Sequence, residues 1–255
     1  MPRAFACALC LGLMAIAPVS VVAQTATATA ATPPGARSVA ISNPLYEFAY
    51  AYPAAAGVIP RVKAILDQDL ARARSALTTE SRSDRAEAKK AGFPYRAHAT
   101  QIRWSVVTSL PGWLSLSAEI YSFTGGAHGN SGFDTLLWDK RAKLRRKPID
   151  LFVSADAFRK AIEVPFCAAL DRERAKKRGP DFPVSDMFSN CIDPVKEAVV
   201  ILGSGDGRRL TRVGFLIGPY SAGPYAEGTY EVTLPVTPAL LRAVRPQFRD
   251  AFAIG

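Results

Sequence analysis

Apolar residues alternate with polar ones in some segments of the chain and recur every three to four residues in others, which predicts both strands and helices. The segment 45–52 alternates aromatic with smaller residues and predicts a strand. From Pro60 onward, apolar residues at helical spacing predict a helix. Its continuation over 78–91 is charged and predicts an exposed helix end or a loop, and Gly92 breaks the pattern.

Three further strands follow this helix. The segments 100–110 and 113–123 alternate and flank a Pro-Gly turn, which predicts an antiparallel hairpin. A glycine-rich loop over 124–130 connects the hairpin to a third strand over 132–138. A basic turn over 139–147 then ends this half of the chain.

The C-terminal part predicts a second main helix, three strands and a short helix. The helix begins near Ala155 with Ser154 as its N-cap, and Pro165 must kink or interrupt it because proline lacks an N–H. Clustered strands without regular βαβ alternation predict an α+β fold with an antiparallel sheet and two interlocked halves, 38–147 and 148–255. The remaining predicted elements are a loop over 181–194, strands over 195–202, 210–217 and 228–236, and a short helix over 238–244.

The first residues predict export. A positive start, an uncharged apolar run and the small residues Val21 and Ala23 predict a signal peptide over 1–23 and a periplasmic or secreted protein. The alternative is a retained membrane anchor, because a run of about 20 apolar residues can span a bilayer. The segment 24–37 is rich in Ala, Thr and Pro and predicts a flexible tether. After cleavage we expect no transmembrane segment.

Two cysteines remain after signal cleavage, Cys167 and Cys191. In an oxidising compartment an even count predicts one structural disulfide. The chain-entropy model assigns such a bridge ~3 kcal/mol. Two buried thiols or a redox pair are the alternatives, although the wide spacing differs from that of a Cys-x-x-Cys redox centre.

The formal net charge of +10 suggests anionic partners of the cell envelope or simple solubility. Basic residues cluster at Lys140–Lys147 and at Arg172–Arg178, without interleaved aromatic residues. Stacking platforms for nucleic-acid bases need such aromatic residues, so we expect no nucleic-acid partner.

Two loops, with Tyr121 of the strand before the first loop, contain the candidate ligand-binding residues. In the first, over 124–130, His128 either presents its imidazole to a ligand or caps a local carbonyl in a tight glycine connection. In the second, over 219–225, the tyrosines either stack on sugars, anchor a protein partner or cover the edge of the core. The candidate ligand-binding residues are Tyr121, Gly125, Gly126, His128, Gly129, Tyr220 and Tyr225.

The sequence offers few partners for a catalytic histidine. Glu119 and Asp134 lie near His128 in sequence, but the chain has no Gly-x-Ser-x-Gly nucleophile elbow. A zinc site would need His98, His128 and a carboxylate to meet in the fold. We therefore expect no catalytic residues, no metal and no cofactor, with a hydrolase that uses His128 as general base as the alternative.

Three motifs occur in an order that resembles a known family. They are Tyr121-Ser-Phe-Thr-Gly-Gly-Ala-His-Gly129, Ile149-Asp-Leu-Phe152, and Gly218-Pro-Tyr-Ser-Ala-Gly223 followed by Tyr230-Glu-Val-Thr-Leu-Pro235. Over about 46–244 the chain resembles the extracytoplasmic domain shared by lysozyme-sensing anti-sigma factors of the RsiV type and peptidoglycan deacetylases of the PdaC type. That domain pairs two adjacent modules of unknown function.

The resemblance implies a non-enzymatic binding or sensing domain of the cell envelope. We expect such a module rather than a deacetylase or a signalling switch, because a signal peptide and a tether precede the domain and the domain fills the rest of the chain. Peptidoglycan or another anionic envelope polymer is the expected ligand. A protein partner, such as a lysozyme-like enzyme or an envelope protein, is the alternative.

Overall fold

The computed structural model describes residues 33–179 and 188–255. The predicted signal peptide and the tether up to residue 32 lie outside the described residues, and so does the part of the predicted 181–194 loop up to residue 187. The described residues combine two sheets with two long helices, which confirms the predicted α+β class.

The larger sheet contains six strands in chain order. Strands β2 and β3 run parallel, whereas the other neighbouring pairs are antiparallel. A helix connects β2 to β3, and such a crossover allows the two strands to run in the same direction. The bounds are β1 Arg37–Ser42, β2 Tyr46–Tyr52, β3 His98–Ser109, β4 Trp113–Phe123, β5 Asn130–Asp139 and β6 Leu144–Arg146.

Both outer strands of this sheet are absent from the sequence prediction. Strand β1 begins at Arg37, the last residue of the predicted tether, and pairs with β2. Strand β6 consists of only three residues inside the predicted basic turn. Both are short and largely exposed, so they carry little of the apolar alternation that identifies a strand.

One face of this sheet is covered by a long helix, α2, which spans Pro60–Ala91 and follows the short helix α1, Ala54–Gly57. The aromatic residues of β2 occupy every second position and all point into the core, where they pack against α2. The last apolar residue of α2 to be buried is Leu77. The helix nevertheless continues over 78–91, so the charged segment is an exposed helix end rather than a loop.

The second core lies between helix α3, Ala155–Arg178, and a three-stranded antiparallel sheet. This sheet has the order β7-β8-β9, and helix α4, Pro238–Ala243, follows it. Leu110, Trp113 and Leu137 of the N-terminal half also belong to this core. The strands are β7 Ala198–Gly203, β8 Arg212–Ile217 and β9 Tyr230–Pro235.

The sequence predicted a kink or an interruption of helix α3 at Pro165. The helix is not interrupted there and continues to Arg178. Its first turn is capped by Ser154, whose hydroxyl accepts a hydrogen bond from the Ala157 N–H at 3.0 Å, as predicted. Phe158 and Phe166, on either side of the proline, are both buried in the same core. Packing on both sides therefore offsets the lost backbone hydrogen bond, while Pro165 itself faces solvent.

The predicted disulfide between Cys167 and Cys191 is confirmed, with the two Cα atoms 5.4 Å apart. It ties the middle of α3 to the segment that precedes β7. Within 33–179 and 188–255, none of the helices is both long enough and apolar enough to cross a membrane.

Candidate functional site

The glycine-rich loop closes the hairpin between β4 and β5. Gly125 has φ +84°, a backbone conformation that side chains with a Cβ rarely adopt, so glycine is needed there. Arg96 holds the loop from outside, because its Nη1 donates to the carbonyls of Gly125 at 3.2 Å and Gly126 at 2.7 Å. The same guanidinium lies 4.9 Å from the centre of the Phe123 ring.

Gly129 is needed for a different reason, which is the close approach of an aromatic ring. A Cβ at this position would lie 2.3 Å from ring atoms of Tyr121, which is far inside van der Waals contact. Tyr121 can therefore cover the loop only because residue 129 is glycine. The ring remains partly exposed, at 37 % of its maximum.

The second predicted loop folds onto the first and brings its tyrosines to His128. The Tyr225 hydroxyl donates to the Gly129 carbonyl at 2.6 Å, although the two residues are 96 positions apart. The Tyr225 ring stacks on the His128 ring, with centroids 3.8 Å apart and planes 25° apart. Tyr220 continues the row, with its ring centre 5.5 Å from that of Tyr225.

Tyr121, His128, Tyr220 and Tyr225 form what we call the aromatic cluster. Tyr220 is its most accessible tyrosine, at 55 % exposure, and it occupies the left-handed region with φ +69°. A non-glycine residue in that region is strained, so the surrounding loop must hold it there. His128 and Tyr220 are exposed, and Tyr225, which contacts both rings, is partly buried, so the cluster presents part of its aromatic surface to solvent.

The hydrogen bond of His128 defines how its imidazole can be used. Nδ1 lies 2.9 Å from the Gly129 carbonyl oxygen. Because a carbonyl oxygen only accepts, Nδ1 carries the proton in this contact and Nε2 of the neutral ring is the acceptor. The sequence offered two roles for His128, a ligand contact or a cap on a local carbonyl. The ring does contact a local carbonyl and is also exposed beside Tyr225.

A buried ion pair supports the loop that carries Tyr220 and Tyr225. The Arg178 guanidinium of α3 meets the Glu227 carboxylate at 2.9 Å and 3.1 Å. The side chains are 8 % and 10 % exposed, respectively. Arg174, one turn earlier, donates from Nε to the Ala222 carbonyl at 2.9 Å and from Nη2 to the Asn190 carbonyl at 3.0 Å. Side chains of helix α3 therefore hold the loop at two points, the backbone carbonyl of Ala222 and the carboxylate of Glu227.

The ionisation of Glu227 reflects this environment. Burial alone would raise the pKa of its carboxyl group, but hydrogen bonds from Arg178 and Tyr230 and the charge of Arg178 outweigh it and lower the pKa below 4.5. Burial, with the Glu227 hydrogen bond, raises the pKa of Tyr230 to about 12. The pair is thus ionised, and Tyr230 is neutral, at neutral pH.

The catalytic and metal-binding combinations that the sequence left open do not form around His128. His98 is buried, and its Nε2 lies 3.3 Å from Asp84 of α2. Asp134 pairs with Arg145 at 3.6 Å. Within the described ranges, no three His, Cys, Asp or Glu side chains are grouped as a metal site would need.

The structure therefore brings together all seven predicted ligand-binding residues. Those of the glycine loop and Tyr121 lie at one end of the β4–β5 hairpin, and Tyr220 and Tyr225 meet them through Gly129 and His128. The sequence analysis missed the supporting residues Arg96, Arg178 and Glu227, since long-range ion pairs and loop anchors have no periodic signature.

Part of the chain is similar to a known protein family, and most of the chain shares its fold with a solved structure. Residues 39–131, which include the glycine loop, match the family model described as "Deacetylase PdaC". No curated protein matches the chain.

Two solved structures of the DUF3298 family are similar to this chain. One, from Pseudomonas aeruginosa PAO1, has 20 % identity and a TM-score of 0.55, covering 84 % of this chain and 95 % of its own. The other, from Bacteroides fragilis, has 19 % identity and a TM-score of 0.49, covering 78 % and 89 %. At 20 % identity the first structure shows a shared fold and nothing about function.

Proposed function

We propose that this protein is an exported domain that binds a glycan of the cell envelope through the aromatic cluster, with peptidoglycan as the ligand. The observation that carries the proposal is the row of rings in which His128 stacks on Tyr225 and Tyr220 lies beside Tyr225, with His128 and Tyr220 exposed. Two loops from different parts of the chain meet to form this row.

Aromatic rings in such an arrangement suit saccharides. The C–H faces of a pyranose ring are apolar and pack on flat aromatic surfaces, while its hydroxyl groups reach polar atoms at the ring edges. The phenolic groups of the tyrosines and Nε2 of His128 supply such polar atoms. Rigid support from Arg96 and from the Arg178–Glu227 pair reduces the entropy that binding would cost.

Two observations support an extracytoplasmic and glycan-related role. A disulfide such as Cys167–Cys191 persists in oxidising compartments, which accords with the signal peptide predicted over 1–23. The region that matches the model described as "Deacetylase PdaC" contains the glycine loop. A deacetylase needs a polymer-binding surface, and we assign that role to the loop here.

The arrangement favours binding over hydrolysis. A general base is normally oriented by a third group and reaches a nucleophile or a water. His128 is oriented only by a backbone carbonyl and by the Tyr225 ring in the described part of the chain. A lysozyme-like partner is the alternative, but after signal cleavage the chain has a formal net charge near +9 (31 minus 22), which would repel the basic lysozymes at long range.

Co-sedimentation with purified peptidoglycan sacculi tests the proposal. We expect saturable binding at low and at moderate salt, at least tenfold weaker in the double variant His128→Ala, Tyr220→Ala. Phe93→Ala is a matched control, because Phe93 is an exposed aromatic residue, at 71 %, outside the cluster. Equal binding by the double variant and the wild type would refute the site, and binding that follows only the salt concentration would indicate non-specific attraction.

A further inference from the structure

A large cleft adjoins the aromatic cluster and shares only Tyr121 with the predicted ligand-binding residues. Its volume is about 830 Å³, within the range of small-ligand sites. Its floor is the face of the six-stranded sheet that carries Ala49 and Ala51, which alternate with the core tyrosines of β2. Residues of the three-stranded sheet, among them Ile201 and Leu216, form the opposite wall. Tyr121 lines the cleft and also covers Gly129, so the two surfaces are continuous.

Four polar side chains stand in two cross-strand pairs on the floor of this cleft. Gln101 lies directly opposite Tyr121, and Arg103 lies directly opposite Glu119. All four are exposed. Within the described residues no hydrogen bond or ion pair engages their side chains, even between the oppositely charged neighbours Arg103 and Glu119. Their hydrogen-bonding capacity is therefore open to a ligand.

The charge of the cleft differs from that of the whole chain. Its charged lining residues are Arg103, Glu119 and Glu231, one positive and two negative, whereas the chain carries +10. Basic residues elsewhere are partly engaged in internal contacts. Arg146 pairs with Asp139 at 2.9 Å, and Arg178 is buried against a carboxylate. The lining of the cleft therefore offers a polyanion two carboxylates against one guanidinium, which gives no local attraction.

The mixture of donors and acceptors points to hydroxyl and amide groups. Arginine only donates, an ionised glutamate only accepts, and glutamine and tyrosine do both. Hydroxyl and acetamido groups also donate and accept, so they can form hydrogen bonds with all four polar side chains on the floor of the cleft. Phosphate and sulfate groups only accept and would leave Glu119 and Glu231 opposed to negative charge.

We infer that the cleft binds an uncharged, N-acetylated oligosaccharide strand that continues from the aromatic cluster, with Arg103 and Glu119 as its specificity-determining residues. This inference rests on the proposed glycan binding and narrows its ligand. It replaces the anionic polymer that the net charge suggests with a neutral saccharide recognised by hydrogen bonds.

Titration calorimetry with the N-acetylglucosamine tetramer, an uncharged probe, tests the inference. We expect at least tenfold weaker binding in Arg103→Gln and in Glu119→Gln than in the wild-type protein. Arg172→Gln and Glu197→Gln make the same charge changes at exposed positions outside the cleft, and they should bind as the wild type does. Binding by the wild type should change less than twofold between low and moderate salt.

Three results would overturn the inference. One is tetramer binding that is unchanged in both cleft variants. Another is an equal loss in Arg103→Gln and Arg172→Gln, which would indicate general electrostatic attraction. The third is displacement of the tetramer by dextran sulfate, a polyanion, from the cleft. Circular dichroism and melting temperatures of all four variants separate lost binding from lost folding.

The same variants on sacculi distinguish failure of the cleft from failure of the aromatic cluster. If binding to sacculi is lost in the double variant His128→Ala, Tyr220→Ala but kept in Arg103→Gln, the inference about the cleft is wrong and the proposed binding by the aromatic cluster is supported. If the wild type binds sacculi but not the tetramer, the ligand class assigned to the cleft is wrong. If the wild type binds neither, both proposals fall.

Discussion

Replacing Glu227 with alanine would leave the Arg178 guanidinium buried without its counter-charge. The two side chains are 8 % and 10 % exposed, and two hydrogen bonds of 2.9 Å and 3.1 Å join them. Arg178 would retain a long contact of 3.4 Å to the Ala222 carbonyl and its neighbour Tyr230, neither of which carries a charge at neutral pH. The change removes the ion pair between α3 and Glu227, whereas the hydrogen bond from Arg174 to the Ala222 carbonyl remains.

The expected destabilisation is large, because removing one partner of a buried pair costs about 3–5 kcal/mol. In a domain of this size, each kcal/mol lowers the melting temperature by about 2–4 °C, so the melting temperature should fall by roughly 10 °C. Glu173→Ala provides a control, because Glu173 pairs with Lys176 at the surface. An exposed pair contributes only about 0–1 kcal/mol.

Urea unfolding of the two single variants, followed by circular dichroism, gives both free energies. A double variant, Arg178→Met with Glu227→Leu, removes both charges and should be less destabilised than Glu227→Ala, since no unpaired charge remains. If Glu227→Ala costs no more than Glu173→Ala, the ion pair does not hold the loop and the reasoning is refuted.

Three further predictions concern acid stability, the disulfide and the glycine loop. The low pKa of Glu227 stabilises the fold fully above pH 4.5, and this contribution is lost as the pH falls through the lower folded-state pKa; melting temperatures from pH 6 to 3 should therefore fall more steeply in the wild type than in Glu227→Gln, and parallel curves would contradict this. Replacing Cys167 and Cys191 with serine should lower the free energy of urea unfolding by ~3 kcal/mol, and an unchanged midpoint would show that the bridge adds nothing. Gly129→Ala should weaken sacculus binding about threefold to tenfold. The added Cβ collides with Tyr121 and disturbs the hydrogen bond from the Tyr225 hydroxyl to the carbonyl of residue 129. Gly112→Ala is the control, because its Cβ would come no closer than 3.9 Å to another residue's atoms and it lies outside both loops, so equal binding by the two variants would argue against the site.

Strong local signals made most of the fold predictable. Strand β4 has the predicted bounds, Trp113–Phe123, because a Pro-Gly turn precedes it and a glycine-rich loop follows it. The N-cap at Ser154 was predictable from its residue type and position. Strand β1 was not, because an edge strand of six largely exposed residues is defined by its pairing with β2 rather than by its own pattern.

The candidate site was predictable only in part. Glycines and aromatic residues identified both loops in the sequence. The contact between the two loops at Gly129 depends on how the two sheets pack together, which the sequence pattern does not show. Arg96 and the Arg178–Glu227 pair could not be singled out among so many charged residues, because only the fold brings them to the loops. The cleft has no sequence signal, since it arises from the spacing between two sheets.

Hydrogen-exchange mass spectrometry with soluble peptidoglycan fragments tests the central claim most directly, because it locates the bound surface without any mutation. The account predicts slower exchange in the loops 124–130 and 219–225 when the fragments are added. Protection confined to the basic clusters at Lys140–Lys147 or Arg172–Arg178, or no protection at all, would contradict it.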